Sequence, residues 1–309
     1  MALGKSALLL LMPFVLPGAL GCSVRSYATR TLADTFAASG TGYASEDDPE
    51  LVREAVPFAL KTMEQILDEQ PTHVGLLTAL ASGFTQYAYA FIVEDADEVE
   101  DVDMARSQRI RRRARRLLLR ARDYGLRGLD ARHPGFAAAF KGGAAADRDR
   151  LIAATTKEDV ALLYWTAAAW ALAVSNAKDT PEIIGQLPMV EPLIARALAV
   201  DETFDGGAIH EFYVSYDAAR AESDGGGPAK ARQHLDRALA LGQNKKLGAL
   251  VSYAEAVTVA SQDKAEFTRM LEQVLAADAD KDPPHRLANL VAQRRARWLL
   301  SRTADLFAN

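Results

Sequence analysis

Between Leu76 and Phe91 the chain reads LLTALASGFTQYAYAF, with Leu77, Leu80, Phe84, Tyr87 and Phe91 recurring at steps of three and four residues. That is the period of one face of an α-helix. Alternation at Tyr87, Tyr89 and Phe91 would suit a strand, but the stripe begins ten residues earlier and alanines fill its gaps, so the helical period prevails. On this helix Tyr89 shares a flank with Thr85 and Ser82, roughly 150° from the apolar stripe. One element therefore offers leucine and phenylalanine to one neighbour and phenols, a hydroxyl and the amide of Gln86 to another. Such tyrosines either find hydrogen-bond partners in a core or line a ligand-facing wall.

The same reading carries along the chain. Asp48 followed by Pro49 predicts an N-cap with proline at the first helical position, and Val52, Val56, Ala59, Met63 and Ile66 then mark a helix to about Glu69, with a kink expected at Pro57. Seven acids from Glu94 to Asp103 precede ten arginines from Arg106 to Arg127. This order suits the dipole of a single long helix, with Leu117, Leu118 and Ala121 buried and Gly125 and Gly128 at its end. Thr155 with Glu158 reads as a capping box. From Val160 to Val174 only Thr166 is strongly polar, so this segment is expected to be a central core helix that carries Tyr164, Trp165 and Trp170.

Downstream the chain repeats itself. IARALAVDETFDGGAIHEF, LDRALALGQNKKLGALVSY and LEQVLAADADKDPPHRLAN each read as helix end, turn and new helix, with Leu198, Leu239 and Leu275 in equivalent places 41 and 36 residues apart and Leu67 in the same role upstream. Spacings near 34 residues belong to tetratricopeptide-like helix pairs. The expected fold is all-α: irregular tetratricopeptide-like helical hairpins in an α-solenoid or α-α superhelix, closed by a final helix through Leu290, Trp298 and Leu306. Residues 48–309 form one domain in this reading.

Composition adds a compartment. The first 21 residues hold one lysine and an apolar run broken by Pro13 and Pro17, followed by Cys22, the only cysteine of the 309-residue chain. This is the order of a cleaved export signal. Gly21 before Cys22 predicts lipidation of that cysteine, with residues 22–47 as a tether containing a short helix around Leu32, Ala33 and Phe36. One cysteine makes no internal disulfide, so helix packing alone stabilises the fold. A net charge of −5 and export together argue against nucleic acid as a partner. Of His73, His133, His210, His234 and His285, none stands at a metal-ligand spacing from another, and phosphate loop and nucleophile elbow are both missing. No metal, cofactor or catalytic residue is expected, and the chain does not read as an enzyme.

With these residues in view, the chain resembles the T-component (TatT) family of TRAP transporters, the tripartite ATP-independent periplasmic carriers. The resemblance runs from about Cys22 to Phe307 and rests on the lipoprotein-like start, DDPELVREAVPFALKTME, GFTQYAYAF, RARRLLLRARDYGLRGL, GAIHEFYVSY and LVAQRRARWLLSRTADLF. One departure is Ala19 with Leu20 where a lipoprotein signal usually has leucine three residues before the cysteine. The resemblance implies a periplasmic lipoprotein, anchored to a membrane through Cys22, that assembles as a homotrimer with a channel through each protomer. It also implies docking to the solute-binding P component and handling of a small organic ligand, a hydrophobic one included.

The residues themselves point to Gln86, Tyr87 and Tyr89 as the first candidates for a ligand- or partner-facing wall, then Trp165, and then the block from His210 to Tyr213, because aromatic density on an amphipathic face suits binding without catalysis. The competing reading is a tetratricopeptide-like lipoprotein scaffold for envelope protein assembly. A hydrolase without recognisable motifs stands third.

Overall fold

A computed structural model describes residues 29–37 and 43–308, and all its regular elements are helices. The export signal and Cys22 lie outside the described residues. Residues 29–37 are helical, and Ala33 in their middle is fully buried.

Ten principal helices follow. Asp48 caps α1 (Pro49–Glu69), accepting the N–H groups of Glu50 and Leu51 at 3.0 and 3.1 Å, and Pro57 lies within it. The Nδ1 atom of His73 accepts the Leu76 N–H and starts α2 (Val74–Val99), whose predicted stripe of Leu77, Leu80, Phe84, Tyr87 and Phe91 is buried. At Ala88–Val93 this helix widens into a π turn before it resumes as Glu94–Val99. Length and apolarity would let α2 cross a membrane, yet its stripe packs in a cluster with α1 and α3.

The acids and arginines do not share one helix. The acidic run closes α2, Asp103 caps a new helix by accepting the Arg106 N–H at 2.8 Å, and the arginines belong to this α3 (Met104–Arg132). Gly125 and Gly128 do not end it either. They lie inside α3 where it crosses α4 (Val160–Ser175), and a Cβ at these positions would strike Thr166 and Leu162 respectively. Their lack of a side chain serves close helix approach rather than termination. A turn follows at Arg132–Gly135, with Gly135 at φ 93°. Two short helices, Phe136–Phe140 and Ala145–Ala154, lead to α4. The capping box before α4 uses Thr156 and Asp159, one residue beyond the predicted pair, because Thr155 bonds back to the Ile152 carbonyl.

Beyond α4 come α5 (Val190–Val200), α6 (Ala208–Ala218), α7 (Pro228–Leu241), α8 (Gly248–Tyr253, running on through a π turn at Ala254–Thr258), α9 (Lys264–Ala276) and α10 (Arg286–Ser301). Three core clusters run along the chain: one from α1 to α3, one around α4, α5 and α6, and one from α6 to α10.

The succession then returns on itself. Leu287 of α10 packs against the α1–α3 cluster, and Arg286 donates to the Ser45 carbonyl at 3.0 Å. Arg294 reaches Glu98 at 2.9 Å and Asp95 at 3.3 Å, Arg295 reaches Asp97 at 2.8 Å, and Arg302 reaches Asp101 at 2.5 Å. Acids at a helix C-terminus oppose the helix dipole. Here they face the last helix of the chain, so the ends of the fold are joined largely by ion pairs.

Candidate ligand-binding site

Closure brings together side chains from the second helix of each successive pair: Tyr89 of α2, Tyr164 of α4, Glu211 of α6, Glu255 of α8 and Arg295 of α10. Tyr89 is 43 % exposed. Even so, surrounding protein holds its phenol well above the ordinary tyrosine range, and the charges of Glu94, Glu255 and Glu211 add to the effect. Tyr164, half-buried, is raised in the same way, first by burial and then by Glu211, Asp205 and Tyr89. The charge of Glu211 thus acts on both phenols.

Aromatic rings continue from Tyr164. Its ring lies 4.9 Å from that of Trp165, edge on, and 5.3 Å from that of Phe204. Glu211 is half-buried and lies against Gly248, the first residue of α8, where a Cβ would collide with its Oε1. Burial raises its pKa; Lys246 pulls it down and Asp205 pushes it up. Glu94 is 3 % exposed, its Oε2 has no hydrogen-bond partner, and burial lifts its pKa to about 8 despite Arg295 and Arg294. The basic groups nearby are ion-paired, although Arg295 Nη1 has no hydrogen-bond partner. Arg295 is bonded to Glu255 and Asp97, which offset the burial that disfavours its charge. The Nζ of Lys246 donates to Asp205 Oδ2 at 2.9 Å and to the Asp205 carbonyl at 2.7 Å.

Glu255 and Arg295 also form part of a cleft of about 300 Å³ between the ends of α2, α8 and α10. Trp298 forms a further wall of it, with the guanidinium groups of Arg295 and Arg302 stacked on its ring at 4.3 and 5.0 Å. Tyr89 and Glu255 both lie in π turns, Ala88–Val93 and Ala254–Thr258, a helix irregularity frequent at functional positions.

The residues singled out from the sequence fall in three places. Tyr89 and Trp165 belong to the group just described. Tyr87 is in the core against Phe91, ring centroids 5.7 Å apart, and its neighbour Gln86 is exposed. His210 and Tyr213 are buried on another face of α6. There His210 Nδ1 and His234 Nδ1 meet at 2.8 Å, His210 Nε2 lies 3.4 Å from Glu202, His234 Nε2 lies 3.4 Å from Asp217, and Tyr213 stacks on His234 at 4.8 Å. Their spacing of 24 residues gave no sequence signal. Among the described residues no group of three or more His, Cys, Asp or Glu side chains could hold a metal ion.

Sequence reasoning took in Glu211 only as part of the block from His210 to Tyr213, and it missed Glu255 and Arg295. The intervals from the equivalent leucines 198, 239 and 275 to these residues are 13, 16 and 20; because turn lengths differ, no common offset marks them.

Comparison with known proteins gives two findings. The family model for the TRAP transporter T-component matches residues 45–307. An uncharacterized protein of Treponema pallidum (strain Nichols) is 26 % identical over 304 residues, covering 93 % of each chain.

Proposed function

Given that this chain belongs to the TRAP transporter T-component family, we propose that it is a periplasmic lipoprotein that docks the substrate-binding P component and holds or passes a small organic ligand in the space inside its ring of helices. The observation that carries this reading is the cleft of about 300 Å³ that Glu255, Arg295 and Trp298 line between the ends of α2, α8 and α10, with Tyr89 near enough for the charges of Glu255 and Arg295 to act on its phenol. Polar groups converging among aromatic walls are the ordinary make-up of a small-molecule site. In this reading the helix pairs are tetratricopeptide-like, Cys22 carries the lipid anchor, and the protein assembles as a homotrimer.

An exposed surface supports docking. Leu51 and Phe58, seven residues apart on α1, are 53 % and 78 % exposed, and large apolar side chains on one outward helix face suit a protein contact.

The test uses the soluble form beginning at Ser23 and the purified P component of its own transporter. Light scattering should give the mass of a trimer, and calorimetry should detect a complex that Phe58→Asp weakens at least tenfold. The docking reading falls if no complex forms at micromolar concentrations, and the trimer falls if the mass is that of one chain.

A further inference from the structure

From Met104 to Arg120, α3 carries eight arginines and no acid. They divide into two groups. Arg111 bonds to Asp97, Glu100 and Asn176, Arg115 to Asp179 and Thr180, and Arg120 lies 3.3 Å from Glu64. Arg106, Arg109, Arg112, Arg113 and Arg116 are exposed, and among the described residues their guanidinium groups have no partner. At about 100° per residue these five fall within roughly a third of the helix circumference, on the side away from the buried Ala114, Leu118 and Ala121. Like charges three and four residues apart destabilise a helix, so the stripe is a cost to the protein on its own. Between it and the end of α4 lies a cleft of about 260 Å³ whose lining includes Met104, Gln108, Arg112 and Lys178. Its two acids, Glu100 and Asp179, are engaged by Arg111 and Arg115, whereas Lys178, like Arg112, is exposed and has no ion-pair partner among the described residues. Met104 in the wall of the cleft is 52 % exposed, and Val102, two residues earlier, is 89 % exposed.

We propose that this face of α3 docks on the surface of a bilayer that contains anionic phospholipid. Arg106, Arg109, Arg113 and Arg116 lie against the headgroup phosphates, one phosphate enters the cleft that Arg112 and Lys178 line, and Val102 and Met104 reach the acyl boundary. The planar guanidinium fits phosphate oxygens two at a time, and ten residues of helix set the first and last of the five arginines about 15 Å apart along the axis, enough to engage several headgroups. Basic side chains beside exposed apolar ones are the make-up of a helix that rests on a membrane interface. A protein surface ordinarily intersperses both signs of charge; a headgroup layer presents one sign along the whole stripe and an apolar layer beneath it for Val102 and Met104. The proposal goes beyond the transporter role proposed above and does not rest on it.

The experiment sediments the soluble form beginning at Ser23 with vesicles of phosphatidylcholine alone and of phosphatidylcholine mixed with an equal part of phosphatidylglycerol. Without Cys22 and its lipid, any binding comes from the protein surface. The expected result is binding to the mixed vesicles at least tenfold tighter than to phosphatidylcholine, weakening as salt is added. Arg109→Gln combined with Arg113→Gln should weaken that binding at least tenfold with the melting temperature unchanged. Arg112→Gln combined with Lys178→Gln should weaken it through the cleft. Lys264→Gln combined with Arg297→Gln removes the same charge from exposed, unpaired positions on α9 and α10, and should leave it within about twofold. Equal binding to both vesicles, binding to neither, or a folded Arg109/Arg113 variant that binds as before overturns the proposal. So does a variant that loses affinity for the purified P component while the wild-type protein ignores vesicles, since the stripe would then face a protein.

Discussion

Helix α6 presents two buried polar neighbourhoods to two sides of the molecule. On one, His210 meets His234, and the far nitrogen of each ring lies 3.4 Å from a carboxylate, Glu202 or Asp217. On the other, Glu211 lies between Gly248 and the phenols of α2 and α4 with no bonded partner. Adjacent positions of one helix thus hold a histidine that meets a second imidazole and a half-buried glutamate packed against Gly248. Buried polar groups that hold a fold together are almost always paired within it. His210 Nε2 and Asp217 Oδ2 are exceptions to that rule, so the histidine face rests on the His210–His234 contact and on the stacking of Tyr213 against His234.

The largest expected effect breaks the contrast at the ring's closure. Arg295 is 11 % exposed and is held by Asp97 and Glu255, and removing one partner of a buried ion pair costs about 3–5 kcal/mol. Arg295→Ala should lower the unfolding free energy by about that much in a denaturant titration. Arg113→Ala on the exposed face of α3 should stay within about 0.5 kcal/mol. Equal losses would mean that the closure contributes nothing particular.

A second effect tests the histidine face through pH. Burial lowers the pKa of both histidines, His234 to about 4, so the folded protein keeps them neutral while the unfolded chain takes up protons near 6.5. Their contribution is complete above about pH 6.5 and is lost as the pH falls toward 4, by about 2–3 kcal/mol for His234. Asp217, raised by burial, works in the opposite sense over the same range and offsets part of the loss. His234→Gln should flatten the acid limb of the stability profile; an unchanged slope would remove His234 from the account.

A third measurement sharpens the idea that pairing marks structure. The Tyr124 hydroxyl donates to Glu64 at 2.6 Å, so Tyr124→Phe should cost about 1 kcal/mol. The smallest effect lies on the ligand side. Tyr89→Phe, which removes the hydroxyl of a side chain that is 43 % exposed, should change stability by less than about 0.5 kcal/mol and act on ligand affinity instead. A stability loss equal to that of Tyr124→Phe would show that Tyr89 belongs to the core.

Much of the architecture was legible because helix periodicity and caps are local: Asp48 and Pro49, the α2 stripe and the apolar α4 all lie where their patterns put them. Tyr89 stood out for a local reason too, an aromatic residue on the polar flank of a strongly apolar helix. What escaped was set by distant partners. The acids at the end of α2 suit no local dipole; their partners are Arg53 of α1, Arg111 of α3 and the arginines of α10, the last some 200 residues later. Gly125 and Gly128 resemble helix stops until Thr166 and Leu162 are seen against them. Glu211 is an ordinary glutamate in sequence; only the surroundings that α2, α4 and α8 give it set it apart.

The π turn at Ala88–Val93 has a consequence for how the chain tolerates change. A wide turn of this kind amounts to one residue more than the regular helix accommodates, and each residue turns a helix by about 100°. Deleting Ala90 would let the segment relax to ordinary α geometry and swing Glu94–Val99 by about that angle. Asp95, Asp97 and Glu98 would then turn away from Arg294 and Arg295, unlatching the end of the chain from its beginning. A single-codon loss in this helix should therefore be far more damaging than any substitution at the same position.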